Sequence, residues 1–393
     1  MEKLKRIVRI ALFFIKLGAA YVCAFLLKLF NNNYRNAWII SERGNDARDN
    51  GYFFYRYLCV NHPGINVWYS ISSSSADFPK IQSLGKWVEY ASFKHYIVYA
   101  ASILRISSSM WGGDLPVHDY FFKLRKYMSH KRKFVFLKHG IIKDYLPQHC
   151  VSSGTPDLYI CGAKPEYDYV KANFGHPEGV VKYTGLARFD NLHNIKTKNQ
   201  VLIMPTFRTW LQGKNEKEVA RSEYVRLWNE VLNDERIQNC LKKHQLKLIF
   251  YPHHVLQKYV DLFKSDNDGR VVAKFKDYDV QQLLIESKLL VTDFSSVFFD
   301  FGYMNKPVIY YQFDREKYIH NHYDFTQGYF SYDENGFGPV AFDHDTLVKE
   351  ILESIEDNYA VSDEYQKRMD MFFPLNDSNN CDRIFKEVNL LMG

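Results

Sequence analysis

KLLVTDFSSVFFDFGYMNKPVIYYQFD, residues 288–314, decides the fold. A short apolar run ends at Thr292 and Asp293, a Ser-Ser pair opens a helical stretch, and Pro307 leads into a second run rich in β-branched and aromatic residues. Strand, helix and strand in so few residues make a parallel α/β unit. In such sheets ligands sit beyond the carboxyl ends of the strands, where helix amino-termini present free N–H groups. Thr292, Asp293, Ser295 and Ser296 therefore read as a phosphate cradle built without a Gly-rich loop, with Asp300 just over one turn further on. A routine capped helix is the competing reading.

Working outward, the same alternation repeats on both sides. AWIIS (37–41), INVWYSIS (65–72), an apolar stretch from Tyr96 to Ile106, FVFLKHG (134–140) and DLYICG (157–162) come first. VLIMPTFR (201–208), LKLIFYPHH (246–254) and the opening stretch follow, and the end of the chain from about Thr346 to Leu391 reads as helical. LARFDNLHNIKTKNQ (186–200) is polar and has no apolar period. It marks a boundary between a domain at 34–190 and one at 200–393, in keeping with a chain of 393 residues.

Three other strand ends carry chemistry. Lys138, His139, Gly140 and Lys143 follow FVFL, where a histidine beside a glycine suits a general base and Lys143 suits a phosphate. Arg208, after VLIMPTF, offers a bidentate phosphate clamp or an ordinary solvated cation. His253 and His254 suit phosphate or acid–base work better than metal, since no HExxH accompanies them. No metal or cofactor is expected. GxxxxGK[ST], GxGxxG after the first strand and GxSxG are absent from the sequence, which weakens ATPase, dinucleotide oxidoreductase and α/β-hydrolase readings.

Net charge is +6, but residues 1–30 hold six cations against Glu2 alone, so the rest of the chain is nearly neutral. A nucleic-acid face is unsupported. The six cysteines are scattered without CxxC pairs and read as reduced thiols, which favours the cytosolic side. In the first 30 residues the longest uncharged run, Leu17–Leu27, falls short of the roughly 20 residues needed to span a bilayer. The cations share one arc of the helix, so residues 1–30 read as an amphipathic helix lying on an anionic membrane surface.

In this order KHGIIKDYLP, GLARFDNL, MPTFRTW, FYPHH, the stretch 278–314 and GFGPV resemble the CDP-glycerol glycerophosphotransferase family of teichoic acid and capsular polymer synthesis. The resemblance implies a GT-B architecture, two Rossmann-like domains facing across a cleft with the nucleotide held by the carboxyl-terminal one. It implies transfer of glycerol phosphate from a CDP-glycerol donor to a lipid-linked or saccharide polymer acceptor, at the cytoplasmic face of the membrane. CDP-ribitol or a nucleotide sugar as donor, and a non-catalytic membrane-bound relative, are the alternatives. By the family's motifs His139 and His253 are the catalytic candidates. Lys143, Arg208, Thr292, Asp293, Ser295, Ser296 and Asp300 are the donor and phosphate candidates. The chain departs from the family's motifs at Lys138, Tyr251, His254 and Phe294, where glutamine, arginine, proline and tyrosine are usual.

Overall fold

The computed structural model describes residues 2–393 except 111–114, 116–131, 195, 265–269, 275–276 and 322–325, with side chains described from residue 7. The first sheet is built from β1 (Trp38–Ser41), β2 (Val67–Ile71), β3 (Trp87–Glu89), β4 (Leu104–Ser107), β5 (Lys133–Phe136), β6 (Leu158–Cys161) and β7 (Val181–Tyr183). All pairs are parallel, in the order β3-β2-β1-β4-β5-β6-β7. The second comprises β8 (Gln200–Ile203), β9 (Lys247–Phe250), β10 (Arg270–Val272), β11 (Leu289–Thr292), β12 (Val308–Tyr311) and β13 (Val340–Ala341). It is also parallel, ordered β10-β9-β8-β11-β12-β13.

Each sheet thus has the doubly wound order, which reverses between β1 and β4 in the first and between β8 and β11 in the second. Helices cover both faces, so the central strands are buried throughout and read as unbroken apolar runs. The stretch Tyr96–Ile106 divides in two. Ser92 Oγ accepts from His95 N at 3.1 Å and caps the helix Phe93–Ala101, after which the chain enters β4.

Between β7 and β8 the polar stretch forms a 3-10 helix, Ala187–Leu192. Its apolar residues face inward: the Phe189 ring stacks on Tyr303 with centroids 4.1 Å apart, tying it to the helix Val297–Tyr303 of the second half. The last helix, Asn380–Met392, returns to the first sheet, where Cys381, Ile384 and Val388 join the core cluster of Ile40, Phe54 and Ile106. Asp190 fixes this return by accepting from Asn380 N at 2.8 Å and Cys381 N at 2.9 Å. Gly185, at φ +79°, makes room for it, since a Cβ there would stand 1.7 Å from Asn380 Oδ1. Gly185→Ala is expected to cost about 1–3 kcal/mol through positive φ and overpacking. A lower urea midpoint at unchanged slope would show it.

Helix α1 (Glu2–Phe30) packs by a narrow seam of Phe13, Leu17, Ala20 and Ala24 on the helix Phe93–Ala101. Arg35 closes its far end, Nε donating to Lys28 O at 2.5 Å and Nη2 to Leu29 O at 2.6 Å. Ile15, Val22, Phe25 and Leu29 point outward, each more than half exposed. By length and composition Ile7–Phe30 suffices to cross a membrane, with mean hydropathy 2.3, although the uncharged run inside it is short. The side chains of Lys3, Lys5 and Arg6, on which part of the amphipathic reading rests, lie outside the described residues.

Candidate active site

The turn after β1 folds around a buried carboxylate. Glu42 Oε1 accepts from Tyr52 N at 2.9 Å and Asp49 N at 3.2 Å, and Oε2 accepts from Arg48 N at 3.4 Å. Burial, with the charges of Asp49 and Asp46 close by, pushes the Glu42 carboxyl well above its ordinary value. The turn delivers Asp49 to the amino-terminus of α2 (Asn50–Asn61), where its Oδ1 accepts from Asn50 N at 2.8 Å.

Across the sheet, the exit of β5 carries His139. Lys138 before it adopts φ +60°, a strained value for a non-glycine residue. Two anchors hold it there. Its carbonyl accepts from Asn50 Nδ2 at 2.8 Å, and its ammonium turns inward to pair with buried Glu166. Glu166 also accepts from Ile142 N and Gly162 N, each at 2.7 Å, which fixes the loop that follows. Lys138 therefore faces the interior, while His139 is left 42% exposed at the mouth of the cleft.

His139 Nδ1 lies 2.5 Å from Asp49 Oδ2. Burial opposes ionisation of Asp49, but His139 and Arg188 outweigh it and hold the carboxyl below its ordinary value. An ionised carboxylate only accepts, so Nδ1 donates to it, which in the neutral ring leaves the lone pair on Nε2. Asp49→Asn is expected to lower kcat on the order of 10- to 100-fold with donor KM little changed, because the ring loses its orienting partner. Steady-state kinetics at fixed acceptor would read it.

Arg188 connects this pair to the second half. Its Nη1 donates to Asp49 Oδ1 at 3.1 Å and to the carbonyl of His139, while Nε and Nη2 make a bidentate pair with Asp300 at 2.7 and 2.8 Å. Asp300 sits on Val297–Tyr303, whose N-cap residue, Ser296, makes no capping bond with its hydroxyl. A methyl group at Gly140 would stand 3.7 Å from Ser296 Oγ and 3.5 Å from Arg188 Nη2, so the two strand-end loops meet there with little room to spare. Ser295 and Ser296 are accessible in the cleft beside His139.

The other sequence candidates divide. His253 is half-buried after β9, with Nδ1 3.4 Å from Val255 N and its ring stacked on Phe207 at 4.8 Å. The pKa of its neighbour His254 is lowered by burial and by the charge of Arg43 in the turn after β1. Lys143 is buried, with Nζ 2.5 Å from Asp144 Oδ2. Arg208 is fully buried between Asp314, at 2.7 and 2.9 Å, and Asp293, at 2.8 Å. Asp293 also accepts from Thr206 N at 2.8 Å, and Thr292 Oγ1 donates to Met204 O at 2.7 Å, so both fasten β11 to the end of β8. Asp49, Asn50 and Arg188 were not singled out from sequence. Their signal lay in two polar stretches that follow strands and lack any apolar period.

At the ends of helices Glu235–Lys243 and His344–Glu356, ligand atoms of Cys240, His244 and Glu356 lie within 4.8 Å of one another, and Lys243 pairs with Glu356 at 2.6 Å.

Residues 157–390, more than half the chain, match the family described as CDP-Glycerol:Poly(glycerophosphate) glycerophosphotransferase. The chain belongs to this family. It is 33% identical over 372 residues to the minor teichoic acid biosynthesis protein GgaB of Bacillus subtilis, covering 91% of this chain and 40% of that protein. It is 22% identical over 352 residues to a teichoic acid poly(glycerol phosphate) polymerase of Staphylococcus epidermidis, covering 84% and 46%. The chain thus spans less than half the length of either relative. Its fold is similar to that of the wall teichoic acid polymerase TagF, solved as a histidine-to-alanine variant. The TM-score is 0.69 at 16% identity, over 100% of this chain and 98% of that one. A UDP-N-acetylglucosamine 2-epimerase structure from Listeria monocytogenes follows at TM-score 0.55 and 12% identity, over 90% and 96%. The architecture is GT-B-like.

Proposed function

We propose that this family member moves glycerol phosphate from CDP-glycerol to a hydroxyl of a membrane-linked teichoic acid or other surface polymer, releasing CMP. The observation that carries it is the chain of contacts Asp49, His139, Arg188, Asp300. It sets a base with a free Nε2 beside the exposed start of the helix behind Ser295 and Ser296. The acceptor hydroxyl attacks the β-phosphorus, its proton passes to His139 Nε2, and the bond to the CMP oxygen breaks. Such transfer rests on positioning and on neutralising charge. His253 donates to the phosphoryl oxygens, and Ser295, Ser296 and the amides behind them hold the pyrophosphate. Thr292, Asp293 and Arg208 shape that end of β11 from behind, Lys143 works beside it, and Asp300 holds Arg188. The first half, 34–190, serves the acceptor, and 200–393, apart from the last helix Asn380–Met392 that returns to the first sheet, serves the donor.

CMP release from CDP-glycerol by purified protein, with and without membranes, tests the reading. Release that depends on membranes supports it. No release from CDP-glycerol alongside turnover of another donor would sink it. CDP-ribitol belongs in the same assay, because a teichoic acid poly(ribitol-phosphate) polymerase of Bacillus spizizenii is 26% identical over 206 residues.

For α1 we infer a position along the cytoplasmic membrane surface, its seam on the protein and its outer apolar face in the lipid. Phe25→Asp, at a side chain 66% exposed, is expected to lower co-sedimentation with anionic vesicles several-fold without loss of folding. Equal sedimentation would contradict it.

A further inference from the structure

Helices Glu235–Lys243 and His344–Glu356 run side by side, in the same direction, against the second sheet. His344 Nε2 lies 2.8 Å from Asp234 Oδ2 where the two begin, and His244 Nε2 lies 3.2 Å from Glu356 Oε1 where they end. From His244 the chain enters β9 within three residues, so these helix ends stand at the amino edge of the sheet, away from the cleft beyond the strands' carboxyl ends. We propose that Cys240, His244 and Glu356 form a site for a thiophilic divalent cation, Zn²⁺ by preference, which clamps the two helix ends together and takes no part in the transfer chemistry.

The backbone sets the first two ligands. His244 N donates to Cys240 O at 3.0 Å, closing the last turn, so the thiol and the imidazole share one side of the helix. Glu356 reaches them from the neighbouring helix, and the three ligand atoms lie within 4.8 Å of one another. Zinc bonds of about 2.0–2.3 Å to sulfur, nitrogen and oxygen, arranged as a tetrahedron, bring neighbouring ligand atoms to roughly 3.3–3.7 Å. The imidazole nitrogen and the carboxylate are already that close. His244 and Glu356, at 30% and 50% exposure, have room to turn toward Cys240, which sits at the rim of the core. Sulfur, nitrogen and one carboxylate oxygen suit zinc better than magnesium or calcium, and leave its fourth position to water.

The local field also favours a cation. Two helix carboxyl-termini converge, each with a partial negative charge. Hydrogen bonds from Lys243 and then His244 hold the Glu356 carboxyl below its ordinary value, so it is ionised. Burial, and then the charge of Glu356, push the Cys240 thiol up, and its proton leaves to solvent as the metal arrives. Lys243 now holds the carboxylate, with Nζ 2.6 Å from Glu356 Oε1. That pair is exposed on both sides and correspondingly weak, and a divalent ion bound to sulfur and nitrogen as well displaces the ammonium. Cysteine spacing gives no sign of such a site, because the third ligand comes from another helix.

Cobalt(II) reports on a thiolate site through its sulfur-to-metal charge-transfer band. Titrated into reduced, metal-free protein, Co²⁺ should give that band at one ion per chain, and Zn²⁺ should abolish it by displacement. Zn²⁺ should also raise the midpoint of thermal unfolding, since it binds the folded chain. Cys240→Ser should lose the band. His244→Ala and Glu356→Gln should weaken Co²⁺ binding by roughly 10-fold or more, the least that losing even an outer partner of a metal ligand costs. Both side chains are partly exposed, so these variants test the site even where Cys240→Ser, at the core edge, folds poorly. Lys243→Ala removes the competitor for Glu356 and should tighten binding several-fold. Absence of the band, a band that persists in Cys240→Ser, affinity unchanged in both His244→Ala and Glu356→Gln, or weaker binding in Lys243→Ala overturns the proposal.

Discussion

Alanine at position 139 is expected to cut CMP release by roughly 10²–10⁴-fold, the range a positioned general base contributes. The fold should be unaffected, because the ring is 42% exposed and the strained turn beneath it is held by Lys138, Glu166 and Asn50. Donor KM should move little, since Nε2 meets the acceptor proton and not the nucleotide. Single-turnover measurements would separate this from a binding defect. Full turnover in His139→Ala would remove the base from the proposed mechanism and leave Asp49 without a catalytic purpose. Asp49→Asn should combine with His139→Ala less than additively, because the carboxylate acts through the ring it orients.

Arg208→Met is expected to cost about 3–5 kcal/mol of stability, since it leaves Asp293 and Asp314 buried without their shared cation. The guanidinium also lies 5.2 Å from the ring centres of both Phe294 and Tyr318, so the stack of those two rings loses its backing. Chemical denaturation of the variant would read the loss directly. A variant of wild-type stability with raised donor KM would instead mean that Arg208 leaves its carboxylates to clamp phosphate.

Much of the fold was legible because parallel strands buried on both faces leave unbroken apolar runs. The longer strands β1, β2, β6, β9, β11 and β12 fall within segments the sequence marks, and β5 and β8 begin one residue before theirs. The edge strands β3, β7, β10 and β13 hold two or three residues each and carry too little pattern to stand out. At the site, sequence shows which residues follow a strand but not which way they turn. Period-2 alternation ends with the strand, so Thr292, Asp293 and Arg208 point inward while His139 and Ser296 face the cleft. Arg188 was harder still. Two turns of 3-10 helix with one polar and one apolar side look in sequence like a linker, although they carry a cation that joins the two halves.

The return of the last helix means that two passes of chain connect the halves, and they touch each other where Gly185 and Asp190 meet Asn380. Two crossings that converge act as a pivot: the halves can swing about it, but sliding or unscrewing would tear the junction. Displacement in a swing grows with distance from the pivot, and Arg188 lies three residues from Gly185 and two from Asp190. On the proposed reading, an opening that admitted the donor or released CMP would widen the cleft lips most and disturb the grip of Arg188 on Asp49 and Asp300 least.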